Sequence, residues 1–313
     1  MRLKTIRFRK MKGGFRRVES PPEQVKVAQR QLLRLLTSYD SVKGMSAQQA
    51  LSQFQRNINE GFQWVASLDI RNCFPSINPE TPLAMLDTRI TGGVPGQYGR
   101  RSLPQGHPFS PLLAELHLSQ FDRLTQPWKT STLLHDGSTM ECRVIRYVDN
   151  IWLMCRKRRE LEFHLSLSLS HLSDLGLTPR VESIKHVNQG IDFLGYTVKM
   201  RSIRPNPRNI QRLKDRCMRY ALDRKQLEDR LSSAGNYESR GEVRAEIDCL
   251  DRKFKESLRG WESQFGLAMR PWLQRFLSDS PLTSTPTTHT PSQTEQPATQ
   301  LGQSNSYDGY HVA

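Results

Sequence analysis

Two aspartates sit where a carboxylate is held rigidly and still reaches out of the fold. Asp69 closes the short uncharged run Trp64-Val65-Ala66-Ser67-Leu68. Asp149 stands at the tip of the tight connection Val148-Asp149-Asn150 between two apolar runs. Two such groups brought together can hold a pair of Mg²⁺ ions roughly 3.5–4 Å apart, the arrangement used for in-line phosphoryl transfer. Mg²⁺ takes a few carboxylates plus water and substrate phosphates, so a complete protein cage is unnecessary. Mn²⁺ is the expected substitute, since it favours the same oxygen donors. Taken singly, each aspartate reads as a strand-end cap or a turn residue, and only the strings around it decide between the two.

The runs Val144-Ile145-Arg146-Tyr147 and Ile151-Trp152-Leu153-Met154-Cys155 predict two strands closing a hairpin on residues 148–150. Helical stretches are expected at about 111–124 and 159–175. Few strands with helices packed on them predict an α+β fold. Further on, Val243, Ile247, Leu250, Phe254, Leu258, Trp261 and Phe265 recur three or four apart, one face of a long helix. Ile210, Leu213 and Cys217 begin another such face, with a break at Gly235-Asn236. Residues 206–277 therefore read as a helical module whose polar faces are rich in Arg and Lys. From Ser278 to Ala313 the chain turns to Ser, Thr, Pro and Gln with few aliphatics, which predicts a disordered tail.

Charge narrows the partners. The chain has 313 residues and 46 Lys+Arg against 31 Asp+Glu, a formal net charge of +15. The tail holds no Lys or Arg and three acids (Asp279, Glu295 and Asp308), so residues 1–277 carry about +18. Their natural partner is a polyanion, with nucleic acid foremost. No apolar run approaches the roughly 20 residues of a membrane helix, which argues against a membrane partner. The basic N-terminal stretch lacks the apolar core of a secretory signal. The five cysteines form no Cys-x-x-Cys pair, so neither a zinc ribbon nor a disulfide framework is expected, and a reducing cytoplasmic setting fits.

Read in order, the strings around the aspartates form a set. Asp69-Ile-Arg-Asn-Cys-Phe-Pro-Ser-Ile (69–77) is followed by Leu-Pro-Gln-Gly-His-Pro-Phe-Ser-Pro-Leu-Leu-Ala (103–114). Then come Arg-Tyr-Val-Asp-Asn (146–150), Lys185 and Phe-Leu-Gly-Tyr (193–196). Upstream stand Lys12-Gly-Gly-Phe-Arg-Arg-Val18, Pro21, Lys26, Gln29 and Leu32-Leu33. The set resembles the bacterial reverse transcriptases of group II introns, retrons and diversity-generating elements, across about residues 10–275.

The resemblance implies a right-hand polymerase: fingers at 1–62, a palm at 63–205 with an antiparallel sheet and helices, a helical thumb at 206–277, and the tail beyond. It implies RNA-directed DNA synthesis on an RNA template, from a nucleic-acid primer and dNTPs, with two Mg²⁺ ions. Asp69 and Asp149 would hold the metals, with Ile70 beside them in the metal set. Phe74, five residues past the first aspartate, matches the aromatic that closes against the sugar and disfavours a ribose 2′-hydroxyl. Gln105 matches the residue lying against the incoming nucleotide, and Gly106 lets the backbone approach closely. Arg16 and Arg17 match a basic position that contacts triphosphate or template. Lys185 matches a lysine near the leaving pyrophosphate.

One position departs from the pattern. The family usually carries two adjacent aspartates at the hairpin tip, and this chain has Asp149-Asn150. Asn150 removes one formal negative charge, so metal affinity should fall while the two bridging acids remain. A second reading follows: a weakened or inactive, maturase-like protein of the same fold that binds RNA. The Val-Thr-Gly triplet common in retron enzymes is missing, and Ser110-Pro111 stands where diversity-generating enzymes commonly have Ser-Gln. The biological setting (mobile element, retron-like unit or phage defence) stays open, as does a cognate structured noncoding RNA or accessory protein.

Overall fold

The run that opens at Trp64 becomes the centre of the main sheet. A computed structural model describes residues 4–9, 15–37, 45–86, 102–129, 132–133 and 139–266. Its strands are β1 (Lys4–Arg9), β2 (Phe15–Ser20), β3 (Trp64–Arg71), β4 (Thr132–Leu133), β5 (Thr139–Met140) and β6 (Arg143–Tyr147). They continue with β7 (Asn150–Cys155), β8 (Thr178–His186), β9 (Ile191–Phe193), β10 (Tyr196–Lys199) and β11 (Ser202–Pro205). Four form an antiparallel sheet in the order β6-β7-β3-β8.

Side chains alternate along a strand, so the sheet has two different faces. One carries Ala66, Leu68 and Ile70 of β3 with Ile151 and Leu153 of β7. These residues are buried with Leu113, Leu118 and Phe121 of the helix Ser110–Thr125 and Leu161, Leu165 and Leu172 of the helix Arg158–Asp174. The other face carries Val65, Ser67 and Asp69. Near Trp64 it is covered: Trp152 packs on Phe193, ring centroids 4.3 Å apart, and Phe193 meets Phe54 of the helix Ala47–Asn59 at the same distance. Toward Asp69 the side chains become half-exposed.

Local chemistry starts the helices where they are needed. Ser46 and Gln49 cap the helix Ala47–Asn59 reciprocally, each side chain bonding the other's backbone N–H. Pro111 takes the first turn of the helix Ser110–Thr125, where a missing N–H costs nothing. The hairpin β1–β2 pairs Lys4 with Ser20 through Arg9 with Phe15.

The α+β class holds, and the two helices expected around the hairpin are present as Ser110–Thr125 and Arg158–Asp174. Two local expectations are corrected. Asp69 does not end its strand; β3 runs on to Arg71, because β8 continues to pair with it as far as Thr178. Asn150 is not part of the loop but the first residue of β7, paired with Tyr147, so the turn is Val148-Asp149 alone. In the block Phe193–Tyr196, Leu194 and Gly195 both take positive φ (47° and 89°) and turn the chain between the antiparallel strands β9 and β10.

Beyond β11 the expected helices appear as Pro207–Ser233 and Tyr237–Phe265, separated at Gly235-Asn236. One compact unit runs through Cys217 and takes in Gly260–Gly266; Met218–Arg259 belong to a second. Within the second, the Tyr220 ring stacks on Phe254 at 3.9 Å and its hydroxyl donates to Asp251. Residues 267–277 and the predicted tail 278–313 lie outside the described residues. Among the described residues no helix is long and apolar enough to cross a membrane.

Candidate active site

The β3–β7 ladder ends on the rung Asp69–Asn150, which brings two sequence-selected residues side by side from 81 positions apart. Asp149 follows at the turn, and its carbonyl accepts from the Ile70 N–H at 3.2 Å. That bond folds the hairpin tip against β3. Asp69, Ile70, Asp149 and Asn150 thus share one end of the sheet. The Asn150 Nδ2 donates to Asp149 Oδ1 at 3.0 Å. Buried Cys73, just past β3, senses both acids. Its thiol is pushed up to about 12, by burial first and by Asp149 and Asp69 beside it, with Arg146 opposing them.

On its other side Asp69 faces β8. There Arg180 Nη2 donates to Asp69 Oδ2 at 2.9 Å and to Glu182 Oε1 at 2.6 Å. Sequence reading did not single out Arg180. Its partner is set by the register of β8, which shifts between Ser67 and Leu68, and no local pattern in the sequence carries that shift.

A second group assembles around the turn at Gln105. The Gln105 carbonyl accepts from the Glu19 N–H at 2.7 Å, and the Phe74 carbonyl accepts from Leu103 at 3.1 Å. The strand β2, the turn and the short helix Cys73–Ser76 are thereby tied together. Phe74 is partly buried against the core. Gly106 has φ +105°, and a Cβ there would lie 2.5 Å from the Glu19 carbonyl oxygen and 2.6 Å from Val18 Cγ1. Only glycine allows this approach. Replacing Gly106 with Val should lower the urea-unfolding free energy by about 1–3 kcal/mol and release β2 from the turn. An unchanged midpoint, with β2 as protected from proteolysis as before, would count against this close packing.

Arg16 and Arg17 lie on β2 opposite Phe8 and Arg7. Arg17 is exposed and pairs with Glu19 at 3.0 Å. Lys185 is not brought to the carboxylates. It stands opposite Val65, four residues back along β3 from Asp69, or about 13 Å at strand rise.

A further residue was missed. Arg146 of β6, only 5% exposed, reaches two acids on the helix Ser110–Thr125. Its guanidinium bonds Glu115 at 2.6 and 3.0 Å and Asp122 at 2.6–3.1 Å, and it donates to the Val148 carbonyl at 3.1 Å. Burial alone would lower its pKa, but the bonds to Asp122 and Glu115 outweigh that and raise it. It stays charged. Val148 itself has φ 56°, a conformation that glycine favours and a β-branched residue resists.

The donor set at the tip suits a small hard dication: two half-exposed carboxylates, one on β3 and one in the adjoining β6–β7 turn, each with one oxygen steadied by a hydrogen bond. Asp69 and Asp149 are the residues that would hold it.

The family model described as "Reverse transcriptase (RNA-dependent DNA polymerase)" matches residues 8–198. None of the curated proteins matches the chain. Among solved structures, the chain is similar to a telomerase from Candida albicans in complex with a fragment of telomeric RNA. That likeness has 12% identity and a TM-score of 0.42, over 65% of this chain and 46% of that one. It is also similar to an apo telomerase from Candida tropicalis truncated from its C-terminal domain. There the identity is 12% and the TM-score 0.40, over 65% and 54% of the two chains. The chain spans about half the length of these solved chains.

Proposed function

The chain belongs to the reverse transcriptase (RNA-dependent DNA polymerase) family, and from that membership we propose that it copies RNA into DNA by extending a primer with deoxynucleotides. The observation that carries the reading is the rung Asp69–Asn150 with Asp149 bonded back to Ile70, which gathers both acids at one end of the sheet. In the reaction the primer 3′-oxygen bonds to the α-phosphorus of a dNTP. The bond to the pyrophosphate oxygen breaks, and the hydroxyl proton leaves to solvent. Family enzymes use divalent metal ions, and a bound pair would stabilise the charge developing on the attacking and leaving oxygens.

The chain's own residues position the reactants. Asp69 and Asp149 offer carboxylate oxygens. Arg180 and Asn150 each hold one of those oxygens and so fix the orientation of the other. Gln105 and Gly106, tied to β2, would form the nucleotide's seat, with Phe74 as the sugar gate and Arg17 near the triphosphate. Lys185, farther along β8, would neutralise phosphate on the departing or template side. Fingers at 1–62, palm at 63–205 and thumb at 206–277 complete the proposed hand. Template RNA, primer and dNTPs are its partners, and RNA affinity should fall steeply with salt. The sequence blocks fit the bacterial enzymes of group II introns, retrons and diversity-generating elements.

One observation favours a second reading, an RNA-binding protein with little or no synthesis. The Asn150 amide occupies an oxygen of Asp149 where a second carboxylate would add negative charge. Primer extension on an RNA template by wild type beside Asn150→Asp separates the two. Synthesis by wild type is expected, and the variant should reach half-maximal rate at about tenfold lower Mg²⁺, since ligand charge sets dication affinity. If neither protein extends a primer while both bind RNA, the binding reading replaces the enzymatic one.

A further inference from the structure

Away from Asp69 and Asp149, three soft donors converge in the core. Cys142 immediately precedes β6, Cys155 ends β7, and His164 lies in the second turn of the helix Arg158–Asp174. One donor atom from each lies within 4.8 Å of the other two, and all three residues are buried. The β6–β7 register pairs Arg143 with Met154, so Cys142 and Cys155 face each other one step further from the turn.

The surroundings hold these groups in place. The Cys142 N–H donates to the Trp128 carbonyl at 2.9 Å, and the Trp128 ring meets His164 edge-on at 5.1 Å. His164 Nδ1 lies 2.9 Å from the Glu160 carbonyl oxygen. With Nδ1–H donating there, Nε2 carries the lone pair, the arrangement metal-binding histidines adopt when a backbone carbonyl fixes the ring. Two sulfurs and an imidazole nitrogen form a donor set that favours thiophilic ions over Mg²⁺ or Ca²⁺.

We propose that Cys142, Cys155 and His164 form a zinc site that clamps the base of the β6–β7 hairpin to the helix behind it. Zn–S bonds near 2.3 Å set tetrahedral sulfurs about 3.8 Å apart, so the trio would contract by about 1 Å at most. Both thiols lose their protons to solvent as the ion enters. Three protein ligands leave the fourth position to a small ligand such as water. The clamp lies at the opposite end of the same hairpin from Asp149, and it does not depend on the reaction proposed above.

The test uses the full chain, prepared under reducing conditions, incubated with Zn²⁺ and desalted before elemental analysis. About one zinc per chain is expected, and exchange for Co²⁺ should give thiolate-to-cobalt charge-transfer absorption. The double variant Cys142→Ser, Cys155→Ser and the single variant His164→Phe should each lose the ion, whereas His164→Cys should keep it. Should the core variants fail to fold, wild type alone decides. Folded wild type with neither zinc nor the cobalt band overturns the site. So does a Cys142–Cys155 disulfide that persists in reductant, or a folded double variant that still holds stoichiometric zinc.

Discussion

Asp69→Asn and Asp149→Asn are each expected to abolish primer extension while leaving RNA affinity within about threefold of wild type. Both replacements keep the shape of the side chain and remove its charge. A metal pair contributes several kcal/mol of charge stabilisation, and each ~1.4 kcal/mol is a factor of ten, so a loss of at least about 10³-fold follows. Asp149→Asn should be the more complete, since the hairpin tip would then carry two consecutive amides and no carboxylate. Asp69→Asn also breaks the ion pair with Arg180. Those side chains are 29% and 35% exposed, so screening holds the folding cost to about 1 kcal/mol or less. Single-turnover extension with saturating primer and template reads the chemical step, and salt-dependent RNA binding serves as the control. Extension by either variant within tenfold of wild type would remove that aspartate from the reaction.

Much of this arrangement is legible in the unfolded chain, and the limits of the reading are physical. Apolar runs around Asp69 and Asp149 mark their strands because a half-buried strand shows itself in six or eight consecutive residues. The two long helices after β11 are legible for the same reason, their faces repeating every three or four positions. What depends on pairing between distant segments is not. The run from Trp64 breaks at its first charge, whereas β3 extends to Arg71 because β8 lies alongside. Arg180 meets Asp69 only through that register. Cys142, Cys155 and His164 stand 13 and 9 residues apart, spacings that match no metal-ligand motif, and a hairpin followed by a returning helix brings them together. Lys185 shows the converse. Its order in the sequence matches a family block, yet the strand carries it away from the carboxylates.

Arg146 links these two levels, and replacing it should cost both stability and rate. It joins the helix that follows the Gln105 turn to the tip that carries Asp149, through Glu115, Asp122 and the Val148 carbonyl. Removing one partner of a buried ion pair costs about 3–5 kcal/mol because the other charge is stranded. Here Glu115 and Asp122 are 27% and 42% exposed, so water relieves part of that, and about 2–3 kcal/mol is expected for Arg146→Met in urea unfolding. The tip would also lose the bond that steadies Val148 in its unfavourable conformation. A shift of about 1 Å in a catalytic group can cost up to ~10²-fold, so kcat should fall by about 10- to 100-fold with little change in the KM for dNTP. Arg146→Lys keeps the charge but lacks the planar fork needed to reach both acids and the carbonyl at once, so it should recover part of the stability and little of the rate. Adding Glu115→Gln and Asp122→Asn to Arg146→Met removes the stranded charges. That triple variant should regain stability while remaining slow. If its rate returned together with its stability, Arg146 would be a purely structural residue with no part in placing Asp149.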